Sequence, residues 1–277
     1  MNTSMALARV ITIAILVSAG IPAASRAQGV RTSMWATYVE PRELLVLPFV
    51  AVTRDHNFEY SPAGFGYGLV EDFRGHYRSD EAGLFVAYGL TDWLVLELEG
   101  SRISATFDKS PADTTATPAR IAESGFADLA GQVRMRLARG QGRRPEVFAS
   151  IEVLPPSHKT KVLIGDAQWN LKGEIGVARG FGWGLMTFRT TIEYNRGDTH
   201  WDLGETSIEY LRQLSAGWRL FLAVEGGEGG APDDFVFVSG ARWRVAPGVF
   251  LKFDNALGLM SKSTDWESQL GVVWSVR

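Results

Sequence analysis

From residue 43 to residue 277 the apolar side chains of this chain recur at every second position, a period that only a β-strand converts into one apolar face. The clearest stretch runs from Phe126 to Ala138. There Ala127, Leu129, Gly131, Val133, Met135 and Leu137 alternate with Asp128, Ala130, Gln132, Arg134 and Arg136. A helix would scatter those arginines around its cylinder, whereas a strand puts them all on one side. The same alternation sets Leu94, Leu96 and Leu98 against Glu97 and Glu99, and Val147, Ala149, Ile151 and Val153 against Glu146 and Glu152. It sets Trp169, Leu171, Ile175 and Val177 against Asn170, Lys172 and Glu174, and Met186, Phe188, Ile192 and Tyr194 against Arg189 and Glu193. In the last run Leu270, Val272, Trp274 and Val276 oppose Gln269 and Ser275.

Twelve such runs are predicted, at 43–59, 79–89, 92–107, 124–138, 145–154, 167–179, 182–195, 201–214, 217–229, 233–245, 248–260 and 266–277. Their connections alternate in length. Residues 89–92, 139–144, 180–182, 214–217 and 246–248 are short, while 60–78, 108–123, 155–166, 196–200, 226–232 and 261–265 are mostly longer and more polar. Runs of about 10 residues with short turns at one end and long loops at the other match what a transmembrane β-barrel needs. In lipid a sheet satisfies its backbone only by closing on itself. An even strand count then leaves both termini at the turn end.

The predicted fold class is therefore all-β: a closed antiparallel transmembrane barrel of about twelve strands, apolar outside and polar within, over residues 43–277. A soluble sandwich or lipocalin-like barrel carries the same alternation with its polarity reversed. The inverted arrangement is favoured by the aromatics that end the apolar faces, Tyr88, Trp169, Tyr194, Tyr210, Trp243 and Trp274, the expected membrane-interface girdle. A mean hydropathy of −0.02 argues against a helical membrane protein.

Ahead of the barrel, Arg9 precedes an apolar run from Val10 to Val17, and Ser25-Arg26-Ala27 offers small residues for cleavage. Residues 1–27 are expected to be a secretory signal peptide, with 28–42 an N-terminal periplasmic segment. Export would bring the chain to the outer membrane of a Gram-negative-type bacterium. The formal charge of −3 becomes −5 once Arg9 and Arg26 leave, so nothing electrostatic points to nucleic acid. The absence of Cys removes disulfides, thiolate metal sites and Cys nucleophiles.

With the apolar face outward, the expected lumen lining is Glu97, Asp128, Gln132, Arg134, Arg136, Phe148, Glu152, Lys172, Glu174, Arg189, Glu193, Arg242 and Lys252. Glu99, Glu146, Glu209, Glu225, Asp254, Arg219 and Arg244 share that parity. A bore between that of filled eight-stranded barrels and that of wide porins makes these walls matter. Mixed signs predict no strong preference for anions or cations; the same charges could simply pair across neighbouring strands. Phe85, Phe148, Phe221 and Phe250 also point inward by parity and suit small aromatic or amphipathic solutes, or serve as fillers.

An outer-membrane lipid hydrolase is the enzymatic alternative, but no Gly-x-Ser-x-Gly elbow or His-Glu-x-x-His helix occurs, and His56, His76, His158 and His200 fall in or beside loops. No catalytic residue, metal ligand or cofactor is expected. Gly197-Asp198-Thr199-His200-Trp201-Asp202 and the acidic 225–234 stretch read as solvated loops.

Residues 123–194 resemble a family of outer-membrane proteins named for the MetA pathway of phenol degradation. The resemblance is carried by Gly125-Phe126-Ala127-Asp128-Leu129, Arg134-Met135-Arg136-Leu137, Ile151-Glu152-Val153-Leu154-Pro155-Pro156 and the Gly- and aromatic-rich strands to Trp183, with Tyr88-Gly89-Leu90-Thr91-Asp92-Trp93-Leu94 similar to its recurring hairpin. It implies a barrel for passive uptake of small molecules, hydrophobic or aromatic ones among them. This chain departs from the family at Pro155-Pro156-Ser157-His158 and in ending on Arg277 where many barrels end on an aromatic. The expected partners are outer-membrane lipid, the barrel-assembly machinery and a small-molecule solute. The competing reading is a closed structural barrel whose loops bind a partner or envelope component.

Overall fold

The computed structural model describes residues 30–32, 37–68, 71–141, 144–158, 160–165, 167–195, 200–227 and 234–277. The proposed signal peptide lies outside them. A short hairpin, β1 (Val30–Thr32) and β2 (Thr37–Val39), leads into twelve antiparallel strands: β3 (Leu44–Tyr60), β4 (Phe73–Gly89), β5 (Leu94–Asp108), β6 (Arg120–Ala138), β7 (Glu146–Leu154), β8 (Asn170–Phe181), β9 (Gly184–Asn195), β10 (His200–Gln213), β11 (Trp218–Gly226), β12 (Val236–Ala246), β13 (Val249–Gly258) and β14 (Trp266–Val276). Each pairs with its chain neighbours, and β14 pairs with β3 to close the barrel. All twelve predicted runs are strands, with β4 and β6 starting earlier than their alternation indicated because both continue beyond the apolar band.

The turn asymmetry is as expected. Two-residue turns, 182–183 and 247–248, join β8 to β9 and β12 to β13, and Gly248 takes the positive φ that the second of these requires. Both ends of the chain's barrel portion lie at this turn end, where Leu44 faces Val276 across the closing pair. Along that seam the register runs from Phe49 opposite Gly271 to Val46 opposite Trp274, and the ladder lapses at Leu47 and Pro48. Pro48 has no N–H to offer.

The outer surface is the apolar one. Leu84, Leu98, Ile151, Ile175, Ile192, Ile208 and Leu270 all stand exposed, a contiguous greasy belt that water would not tolerate on a monomer. Aromatics border it on both sides: Tyr88, Trp93, Trp183, Trp218, Trp243 and Trp274 toward the turns, and Trp169, Trp201 and Trp266 toward the loops. Tyr210 donates its hydroxyl to the Trp183 carbonyl at 2.8 Å, and Tyr194 packs on Trp201 at 5.0 Å between ring centres. Trp266 and Trp274 sit eight residues apart on one strand, roughly 20 Å along the barrel axis for a strand tilted by about 40°.

One stretch of the predicted parity is wrong. Between Glu99 and Ser101 the β5–β6 register slips by a residue, so that Ala130 faces Glu99 and Ala127 faces Ser101. A bulge of this kind exchanges the faces of every residue beyond it. Ala127, expected outside with Leu129, is 2% exposed against the lumen, and Phe126 is 76% exposed outside. The Asp128 side chain, expected in the lumen, lies outside the described residues.

Inside, the barrel is layered. At the turn end Leu45, Leu47, Phe49, Phe85, Ala87, Val95 and Val273 form an apolar layer that Val39 completes. The segment after β2 therefore enters the lumen: the Glu40 carbonyl lies where a side chain at Gly89 would project, and Arg277 reaches Glu40 at 3.2 Å and Glu43 at 3.6 Å. At the loop end, on the β3–β6 side, Tyr60 packs edge-on to Phe107 at 4.6 Å and stacks on Phe65 at 5.6 Å. Ile164, from the 155–169 loop, folds in on Ile103, Ala105 and Ala127. The charged belt lies between these two apolar layers.

Candidate functional site

The belt is built on two arginines. Arg134, from the inward face of β6, is wholly buried; its Nε donates to Glu97 at 3.1 Å, its Nη1 to Glu174 at 2.7 Å and its Nη2 to Gln132 at 3.3 Å. The guanidinium also lies 5.3 Å from the centre of the Phe148 ring. Arg189 on β9 touches four carboxylates: Glu174 at 3.2 Å, Glu205 and Glu209 at 2.8 Å each, and Glu225 at 3.5 Å. Glu174 joins the two arginines and also accepts from the Ser150 hydroxyl at 3.2 Å, which in turn receives the Gln132 amide at 2.7 Å. One polar chain thus runs from β5 to β11. Alternation makes this possible, since adjacent strands in register deliver inward residues to the same height.

Smaller groups complete the wall. Arg136 pairs with Glu146 at 3.1 Å and Lys172 with Glu193 at 2.6 Å. On the far side Arg242 grips Asp254 with both terminal nitrogens, and Lys252 reaches the same carboxylate at 3.1 Å as well as the Gln269 side chain. Arg242 covers Phe221 at 5.1 Å, and Arg219 lies 5.2 Å from Phe250.

Between these walls is a cavity of about 280 Å³. Its acidic lining is Glu97, Glu99, Glu152, Glu205, Glu209, Glu225, Asp254 and Glu267, against Arg189 and Lys252 as the cations among the described residues. A smaller space of about 150 Å³ shares Gln132, Glu152, Arg189 and Glu205 with it and adds Lys172, Glu174 and Glu193. Both signs are present, as expected, with the acids in excess. Arg134, Arg136 and Arg242 spend their charge within the wall and do not line the larger space, because each is tied to the carboxylates beside it. Glu97 and Asp254 are spent in the same pairs, so the balance left to the open volume is six carboxylates against two cations.

The predicted lining residues thus divide. Glu97, Gln132, Glu152, Arg189 and Lys252 face the larger cavity, while Lys172, Glu174 and Glu193 face the smaller. Phe148 is a packing residue beneath Arg134 and against Gly176, where any Cβ would strike its ring. Of the four inward phenylalanines only Phe85 and Phe221 line the larger space. Two lining acids had no periodic signal. Glu205 falls where the β9–β10 register shifts between Leu203 and Thr206, and Glu267 belongs to the start of β14, ahead of the stretch whose alternation is legible. Of the Gly197–Asp202 loop, residues 197–199 lie outside the described residues, as do 228–233 of the acidic stretch.

Comparison with known proteins gives a likeness of fold. The outer membrane channel of Pseudomonas putida F1 superposes with a TM-score of 0.62 at 14% identity, over 86% of this chain and 97% of that one. The translocator domain of the autotransporter NalP from Neisseria meningitidis covers 98% of this chain and 97% of its own at a TM-score of 0.44 and 11% identity. No family model matches the sequence. No curated protein matches it either. The chain has the fold of an outer-membrane β-barrel, with the apolar face turned outward.

Proposed function

We propose that this protein is an outer-membrane channel for passive passage of small solutes, and that its lumen prefers cations. Residues 1–27 direct export, 28–42 begin on the periplasmic side, and the barrel-assembly machinery inserts the rest into lipid. The observation that carries the reading is an apolar-faced closed barrel around a cavity in which carboxylates outnumber cations six to two once Glu97 and Asp254, held by Arg134 and Arg242, are set aside. A ring of carboxylates in a narrow bore raises the local concentration of cations and repels anions. The neighbouring fold of a known outer membrane channel supports the transport class.

The hairpin resemblance to the MetA-pathway family points to aromatic or hydrophobic solutes. The cavity accommodates that chemistry where it comes with a positive charge, since Phe85 and Phe221 supply apolar patches among the acids. Small amphipathic amines meet both requirements better than neutral phenols, which would leave the carboxylates facing an apolar surface.

Planar-bilayer recording across a salt gradient tests the proposal. Steady current with a reversal potential on the cation side is the expected result, and Glu225→Gln with Glu267→Gln should move that potential toward zero. A barrel that passes no current would favour the closed structural reading, for which the apolar layer around Leu47, Phe49 and Phe85 is the specific support. Anion preference would retire the assignment of solute class.

A further inference from the structure

Three arginines stand on the outer surface of neighbouring strands at the loop-side edge of the apolar belt. Arg102 lies eight residues up from Leu94, the first residue of β5. Arg54 lies ten up from Leu44, and Arg78 eleven from Gly89. At about 3.3 Å per residue and a tilt near 40°, these positions are roughly 20–28 Å above the turn end, the upper edge of an apolar band about 25 Å tall.

Their surroundings are unusual in two respects. Arg54 and Arg78 face each other directly in the β3–β4 register. Like charges in that position repel. Arg54 gives one terminal nitrogen to the Thr53 and Ser79 carbonyls at 2.8 and 3.0 Å and the other to Asp80 at 3.1 Å, and Arg78 reaches Asp108 at 3.2 Å; both ion pairs are solvent-exposed and Asp108 is shared with Arg120 at 3.8 Å. Such pairs hold their partners weakly. Arg102 has no hydrogen-bond or ion-pair partner among the described residues; it faces Ala82 on β4, four residues nearer the turn end than Arg78, and Phe126 on β6, 76% exposed. Immediately below, Val50, Leu84, Leu98 and Leu129 offer a smooth apolar wall.

We propose that Arg54, Arg78 and Arg102 bind the phosphate of an outer-leaflet glycolipid whose acyl chains lie on that wall, the inference resting on the outer-membrane reading above. Guanidinium forks match phosphate oxygens bidentately, and a shared anion converts the facing arginines from a repulsive pair into a clamp. A soluble phosphate would leave the exposed apolar surface beside Phe126 unexplained. An amphiphile with an anionic head satisfies both halves of the site.

The test is native mass spectrometry of the folded, detergent-solubilised protein titrated with bisphosphorylated lipid A, with its dephosphorylated form and with inorganic phosphate. Wild type should prefer the phosphorylated lipid at least tenfold, and Arg78→Gln/Arg102→Gln should lose about that factor, as expected for removing charge-assisted contacts. Arg120→Gln, higher on β6, should bind as wild type does. Equal binding of both lipids, or no loss in the double variant, overturns the proposal; displacement of the lipid by inorganic phosphate at equal concentration would make this a soluble-anion site and overturn it too. Heat-modifiable migration of each protein is recorded first. Its absence in wild type defeats the membrane reading itself, whereas folded bands with indifferent lipid binding defeat this inference alone.

Discussion

At the scale of single residues, what separates tolerance from collapse in this barrel is the face a side chain occupies. Val133 and Gln132 are neighbours on β6, one on the lipid side and one hydrogen-bonded to Ser150 inside. Val133→Arg should abolish the folded band, because an arginine at the bilayer midplane costs about 2–4 kcal/mol. Gln132→Arg should keep it. Arg189 gives a test from the other side. Removing its charge leaves Glu205, Glu209 and Glu225 facing one another without the cation they share. Arg189→Gln should destabilise the barrel by about 3–5 kcal/mol, the range for breaking a buried ion pair, read as a lower urea midpoint in lipid vesicles. The arginine's inward position was legible from alternation, but its four partners were not. Glu205 in particular follows a register shift, and beyond such a shift sequence parity says nothing reliable about direction.

At the scale of elements, the strands follow from the pattern and the loops do not. The 109–119 loop shows why. Its hold on the barrel is a handful of specific contacts: the Tyr60 hydroxyl donates to Asp113 at 2.9 Å and accepts from the Ser110 amide at 3.1 Å, while Thr115 donates its backbone N–H to Asp113 at 2.7 Å. No periodicity announces such a latch. Tyr60→Phe should weaken it by about 1 kcal/mol, since the Asp113 carboxylate and the Ser110 N–H each lose a hydrogen bond, and limited proteolysis should then cut within 109–119 sooner. Burial works to raise the Asp113 carboxyl, but the hydrogen bonds from Thr115 and Tyr60 and the Lys109 charge outweigh it and hold it below its ordinary value of 3.8. A carboxyl held low contributes its stability above the unfolded value and loses it as pH falls through the folded one. Protease resistance of this loop should accordingly be full at neutral pH and decline only below about pH 4. A decline already complete at pH 6 would contradict the latch.

At the scale of the whole molecule, closure is the decisive event, and its seam is where packing is least forgiving. Gly271 on β14 faces the lumen beside Leu47, and any Cβ there would strike the Leu47 side chain and come within 3.1 Å of the Pro48 carbonyl. The ladder already lapses at Pro48. Gly271→Val should therefore prevent closure, seen as loss of the fast-migrating unboiled band, while the same change at Gly131, which has open space around it, should be tolerated. By itself the chain determined the strand number, the turn asymmetry and most side-chain directions, because a period of two is a local property written into each strand. Only the tertiary structure decided which charges line open space and which are spent in the wall. That outcome depends on which strands meet, on bulges that shift the register, and on contacts such as Thr53 with Glu267 that closure alone brings within reach of each other.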